Sequence, residues 1–147
     1  MKLNDNTIKH MLNDTKYFKV DEFLRSETAE KLGIDNTPTD HEIIENIQYT
    51  MEYLNKVREE FGEPIYVNSG YRCKALNDAV GGSKNSYHMT GLAVDLRWNP
   101  RLFEFMMSNC HFDKLIREKS KKTFWIHVQL KRNIEEEQNR VIYMTVK

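Results

Sequence analysis

A chain of 147 residues has room for one ordinary domain with a single sizeable core, and residues 1–147 are taken as that one domain. Its 22 lysines and arginines balance 22 aspartates and glutamates, which removes the usual electrostatic reason for nucleic acid or an anionic membrane as main partner. No stretch approaches the ~20 apolar residues that cross a bilayer, and residues 1–15 lack the apolar centre of a secretory signal. A monomer made and folded in the cytoplasm, with no stable membrane insertion, is therefore expected.

The N-terminal portion reads as short helical turns. Ser26 is placed to cap a helix through Ala29 and Lys31, with Gly33 closing it. Asn36, Pro38 and Thr39 then form a loop. Thr39 and Glu42 have capping-box spacing, and Ile43, Ile47, Met51, Leu54, Val57 and Phe61 recur at helical intervals until Gly62. That helix has one apolar stripe, carries no chemistry and covers a sheet. Residues 65–68 suit a short strand leading into Ser69-Gly70-Tyr71-Arg72, and residues 74–80 a short helix stopped by Gly81-Gly82.

Residues 92–96 form a predicted strand in which Ala93 and Asp95 share one face and Leu92, Val94 and Leu96 the other. Asn99 followed by Pro100 opens a helix through Leu102, Phe103, Met106 and Met107, whose methionines read as core packing. Residues 112–118, 124–130 and 141–146 read as strands, with the charged residues 133–140 looping between the last two. Helices on one side and hairpin-joined strands imply an α+β domain. Cys73 and Cys110 form no C-x-x-C pair and are too few for a disulfide framework, so reduced thiols are expected.

One constellation carries chemistry. In Ser86-Tyr87-His88-Met89-Thr90-Gly91-Leu92-Ala93-Val94-Asp95, the chain reverses at Gly91 and brings His88 towards Asp95, although seven positions separate them. An aspartate inside an apolar strand needs a partner, because an unpaired buried carboxylate is costly. His127, in Phe124-Trp125-Ile126-His127-Val128, supplies a second imidazole on another predicted strand. Two imidazoles and one carboxylate leave a fourth tetrahedral position open, as in catalytic zinc sites. A lone histidine in a strand is more often a hydrogen-bonded core residue. His10, His41 and His111 sit in polar or helix-start surroundings and read as surface residues.

Ser-x-His-x-x-Gly-x-Ala-x-Asp followed by Trp-x-His resembles the M15 family of zinc D-alanyl-D-alanine carboxypeptidases and related cell-wall endopeptidases. The stretch from Ser69-Gly70-Tyr71-Arg72 through Leu76-Asn77 to Gly81-Gly82 is similar to the small single-domain branch of that family. The likeness runs over roughly residues 17–146. It implies the fold shared with the hedgehog signalling domain, a central antiparallel sheet flanked by helices. It also implies Zn2+ held by His88, Asp95 and His127, with peptidoglycan stem peptides as substrate. Arg72 matches the arginine that binds the substrate carbonyl and its oxyanion. Ser86 and Trp125 support or pack against the site, and Tyr71 and Tyr87 line the substrate groove. Action on the wall would then need a lysis or export partner, as for an endolysin.

The general base departs from the best-known pattern: many relatives carry an acidic residue three positions before the last histidine, where this chain has Phe124. Glu118 replaces it, in a Phe112-Asp113…Glu118 segment similar to the hedgehog-like branch. With Lys122 and Thr123 as the tip of a two-residue hairpin, Glu118 falls directly opposite His127, within reach of water on the metal. Lys-Thr is not a favoured turn sequence, and Asp113 is the alternative base. Two further readings stay open: a zinc-stabilised binding module of the same fold that does not turn over, and an intracellular protein whose site is a structural remnant. Hydrolysis of peptidoglycan fragments separates the first from an enzyme, and metal content tests the second.

Overall fold

The long central helix is specified from both ends. In the computed structural model, which describes Ile8 and residues 11–146, Asp40 caps α3 (His41–Phe61) by accepting the Ile43 N–H at 3.2 Å. The expected cap at Thr39 is thus corrected by one residue: Asp40 is the extended residue before the helix, and its carboxylate reaches the third amide of the first turn. Gly62 ends the helix in the left-handed region at φ 80°. Before α3 come α1 (Val20–Leu24) and α2 (Glu27–Leu32), the latter capped by Ser26 and closed by Gly33 as its sequence indicates. His10 lies outside the described residues, and His41 is exposed at the start of α3.

Five strands follow: β1 (Val67–Ser69), β2 (Ala93–Arg97), β3 (Lys114–Lys119), β4 (Phe124–Gln129) and β5 (Arg140–Thr145). Between them lie α4 (Lys74–Ala79), a 3-10 turn (Tyr87–Thr90) and α5 (Pro100–Asn109), which Asn99 caps through two amides. The strand order is β1-β2-β4-β3-β5. The first four pair antiparallel, but β5 runs parallel to β3, so the sheet is mixed and not wholly antiparallel. Both edges of β4 are already occupied, by β2 and β3. The chain leaving β4 therefore steps past β3 at the same end and starts β5 there, which makes β5 antiparallel to β4 and parallel to β3. Asn139, at φ 51°, makes the corner, with its N–H on the Phe112 carbonyl at 3.0 Å.

Strand alternation splits the sheet into two faces. Val94, Leu96, Leu115, Ile126 and Val128, all fully buried, pack in one cluster with Ile47, Met51 and Leu54 of α3 and Leu102 and Met106 of α5. Each such side chain contributes about 1.5–3 kcal/mol of transfer free energy. The opposite face carries Asp95, His127 and Gln129.

α3 does more than cover the sheet. A Cβ on Gly91 (φ +84°) would sit 2.9 Å from both the Ile43 carbonyl and Ile47 Cγ1, so only glycine lets the 3-10 turn lie against the helix. Thr50 Oγ1 donates to the Gly91 carbonyl at 2.7 Å and Asn46 Nδ2 to the Thr90 carbonyl at 3.0 Å. Among the described residues no helix is long and apolar enough to cross a membrane. Cys73 and Cys110 are free thiols.

Candidate metal centre

His88 is aimed by backbone on both sides. Ser86 caps the 3-10 turn and accepts the His88 N–H at 3.2 Å. The ring is 2 % exposed, and its Nδ1 donates to the Gly70 carbonyl at 2.7 Å. Gly70 itself packs close against the end of α1, since a Cβ there would lie 2.5 Å from the Phe23 carbonyl oxygen. With Nδ1 committed, Nε2 is the free nitrogen. It is buried without a hydrogen-bond partner and stands 3.2 Å from Asp95 Oδ1.

Asp95 and His127 are paired across β2 and β4 by register, and His127 Nδ1 stands 3.0 Å from the same Asp95 Oδ1. On the other side of its ring, His127 Nε2 faces Gln129 Oε1 at 3.3 Å. Gln129 Nε2 in turn donates to Asp113 Oδ2 at 2.8 Å, and Asp113 Oδ1 accepts the Gln138 N–H at 3.1 Å. A buried carboxylate thus holds the amide, and the amide holds the imidazole orientation. Burial alone would push the Asp95 carboxyl up. The neighbouring imidazoles of His88 and His127 outweigh it, leaving Asp95 far below the usual carboxylate range.

His88 Nε2, Asp95 Oδ1 and His127 Nδ1 form a buried donor set able to hold a metal ion. A tetrahedral zinc with bonds of ~2.0–2.1 Å keeps its donor atoms about 3.3 Å apart. The separations of 3.0 and 3.2 Å from Asp95 Oδ1 are close to that figure, and the partnerless His88 Nε2 is a buried nitrogen that a metal would satisfy. Two nitrogens and one carboxylate oxygen suit zinc chemically.

Glu118 reaches the centre by a different register from the expected one. The β3–β4 hairpin turns through four residues, 120–123, with the Ser120 N–H on the Thr123 carbonyl at 2.9 Å. Glu118 consequently pairs with Trp125, and Ile116 lies opposite His127. The slip is two residues, and strand faces repeat every two, so Glu118 stays on the metal face. Its Oε1 is 3.8 Å from His127 Nδ1. Burial, and then the charge of Asp95, raise the Glu118 carboxyl above its ordinary value. Asp113, the alternative base, is buried and committed to Gln129 and Gln138.

Arg72 is not free. Its Nη2 donates to Asp95 Oδ2 at 3.2 Å, its Nη1 to Asn77 Oδ1 at 3.1 Å and its Nε to Ser69 Oγ at 3.2 Å. Three of its five N–H groups are thereby spoken for, and Asp95 is held by its second oxygen while the first faces the histidines. Tyr71 is buried, its hydroxyl pushed up to about 12 by burial, and it borders with Arg72 a cleft of about 620 Å³. Tyr87 instead lines a separate groove between the start of α3 and residues 131–133. Trp125 is half-buried in β4, opposite Glu118 on one side and Arg97 on the other. His111, read as a surface residue, is partly buried, with Nδ1 2.6 Å from the buried Glu137 carboxylate.

Sequence reasoning passed over three supports. Gln129 carries a legible signal, a polar residue two positions after His127 and therefore on its face. Asn77 is fully buried, and a Cβ on Gly82 would strike its Oδ1 at 2.1 Å, so Asn77 and Gly82 together seat Arg72. Asn46 and Thr50, polar residues inside the apolar helix α3, marked the contact with the 3-10 turn.

An α+β sheet whose polar face gathers two histidines, an aspartate and a neighbouring glutamate is the framework of a metallohydrolase-type centre. The chain belongs to the peptidase M15 family, whose profile matches residues 16–129. Over 52 residues, 35% of this chain, it is 46% identical to the zinc D-Ala-D-Ala carboxypeptidase of Streptomyces albus G. That match takes in 20% of the relative's length.

Proposed function

We propose that this protein is a zinc peptidase hydrolysing peptide bonds in peptidoglycan stem peptides, with His88, Asp95 and His127 as metal ligands. The observation that carries the reading is the convergence of His88 Nε2, Asp95 Oδ1 and His127 Nδ1, with the Glu118 carboxylate 3.8 Å from the last. Zinc, when bound, supplies Lewis-acid chemistry, polarising a carbonyl and acidifying water.

The remaining roles belong to the chain. Glu118 is the general base, with its raised carboxyl matched to accepting a proton from water and returning it to the leaving amine. Arg72 fixes Asp95 through Oδ2, and its two uncommitted N–H groups are the donors assigned to negative charge developing on the substrate oxygen. Gln129 keeps His127 in the tautomer that leaves Nδ1 free. Tyr71 walls the cleft beside Arg72. Cleavage within the stem and removal of its terminal residue are both within this reading, and the products distinguish them.

Mass spectrometry of muropeptides after incubation with the zinc-loaded protein tests this. Loss of a terminal alanine identifies a carboxypeptidase, and separated internal residues or crosslinks an endopeptidase. Glu118→Gln is expected to keep zinc and fold while losing roughly a hundredfold or more in turnover, the usual weight of a general base. A fully active Glu118→Gln beside a dead Asp113→Asn would reassign the base. Intact muropeptides with stoichiometric zinc would make the protein a binding module, and rapid casein cleavage would overturn the substrate class.

A further inference from the structure

The metal face of the sheet extends beyond the ligands. Two pairs further along β2 and β4 than Asp95 and His127, and so on the same face, Arg97 lies opposite Trp125, and Trp125 lies opposite Glu118. Neighbouring strands are ~4.8 Å apart. The backbones of Arg97 and Glu118 therefore flank that of Trp125, about 10 Å from each other. Strand geometry also puts the Arg97 backbone ~7 Å from that of Asp95, about the length of two peptide residues.

Arg97 differs from the other arginine near the centre. Arg72 is mostly buried and bonded to Asp95, Asn77 and Ser69. Arg97 is exposed, and among the described residues no carboxylate pairs with it. It is nevertheless held in place. Its guanidinium lies 4.2 Å from the centroid of the Tyr66 ring, and the Arg97 backbone N–H donates to the Tyr66 carbonyl at 2.9 Å, which keeps the two residues side by side. Lys114 and Arg140 share this face but stand at its far end, level with Gln129. A positioned, solvent-facing guanidinium at one edge of a catalytic floor suits bidentate recognition of a planar carboxylate.

From this placement we infer that Arg97, backed by Tyr66, is a specificity-determining subsite that binds a free carboxylate of the substrate one to two residues from the scissile bond. The inference rests on the peptide-substrate reading above and deepens it. The substrate chain lies across Trp125, its reacting carbonyl at the Glu118 side and its carboxylate at Arg97. Tyr66 is a positioning residue that limits the conformers of the guanidinium.

The test is calorimetric binding to zinc-loaded Glu118→Gln protein, which holds substrate without turning it over. The probes are a synthetic stem peptide and variants in which each free carboxylate is converted in turn to the carboxamide. One carboxamide is expected to weaken binding roughly ten- to hundredfold, the weight of a charge-assisted hydrogen-bonded pair. Adding Arg97→Gln should weaken the parent peptide by the same factor and abolish the difference between parent and that carboxamide. Adding Arg97→Lys should restore part of it. A carboxylate preference that survives Arg97→Gln, or no binding of any peptide, overturns the assignment. Tight, Arg97-dependent binding of peptides that unmodified Glu118 protein leaves uncut would uphold the subsite and remove the peptidase reading instead.

Discussion

The two faces of one sheet are built to opposite rules. On one, Val94, Leu96, Ile126 and Val128 interdigitate with α3 and α5, and shape is all that matters. On the other, Asp95, His127 and Gln129 are nearly as buried, yet each is defined by single atoms facing single atoms. The apolar face gains from area and tolerates exchange of similar volumes. The polar face gains nothing from area, and one missing partner leaves a buried polar atom unsatisfied. Strands shared by both faces let the core impose on the site a precision that a loop would not supply.

The largest expected effect breaks the polar face. His88→Ala or His127→Ala should release the metal and all hydrolysis together. Zinc content by atomic emission and thermal melting with and without chelator check this. Chelation should lower the melting temperature of the parent but not of the double substitution, because metal affinity is coupled to folding. Stoichiometric zinc in the double substitution would dismiss the ligand assignment.

Breaking the apolar face comes next. Leu96→Ala, fully buried next to Asp95, should cost about 2–5 kcal/mol in denaturant unfolding, the range for a large-to-small core change. The fraction that remains folded should bind zinc with parental affinity. A large drop in that affinity would mean that the faces are not separable. The smallest effect sharpens the contrast: Gln129→Ala removes the group facing His127 Nε2 and the partner of Asp113. It should weaken zinc about 10–100-fold, as loss of an outer hydrogen-bonding partner does, with little change in melting of the metal-free protein. Unchanged zinc affinity would show that strand register alone orients His127.

Much of this was legible in the chain. The helix His41–Phe61 followed from its apolar period and Gly62, and the strand Ala93–Arg97 from alternation that put Asp95 opposite Val94 and Leu96. The α+β class followed from the order of elements. Such signals are local, carried by residues three, four or two apart, and short-range sterics and burial enforce them wherever the chain goes. The capping residue of α3 was read one position early because Thr39 and Asp40 both have capping side chains.

Other features depend on contacts that no local pattern encodes. The β3–β4 hairpin closes through four residues, not two, and so places Trp125 opposite Glu118; Lys-Lys-Thr has no turn preference strong enough to announce it. β5 runs parallel to β3 because β4 has no free edge, a property of the assembled sheet. Arg72 spends one donor on Asp95, 23 positions away, which only tertiary packing brings within hydrogen-bonding distance. The sequence by itself determined which elements form and which chemical groups they carry. The tertiary structure decided which groups meet, because register and edge occupancy minimise the free energy of the whole sheet and not of any one strand.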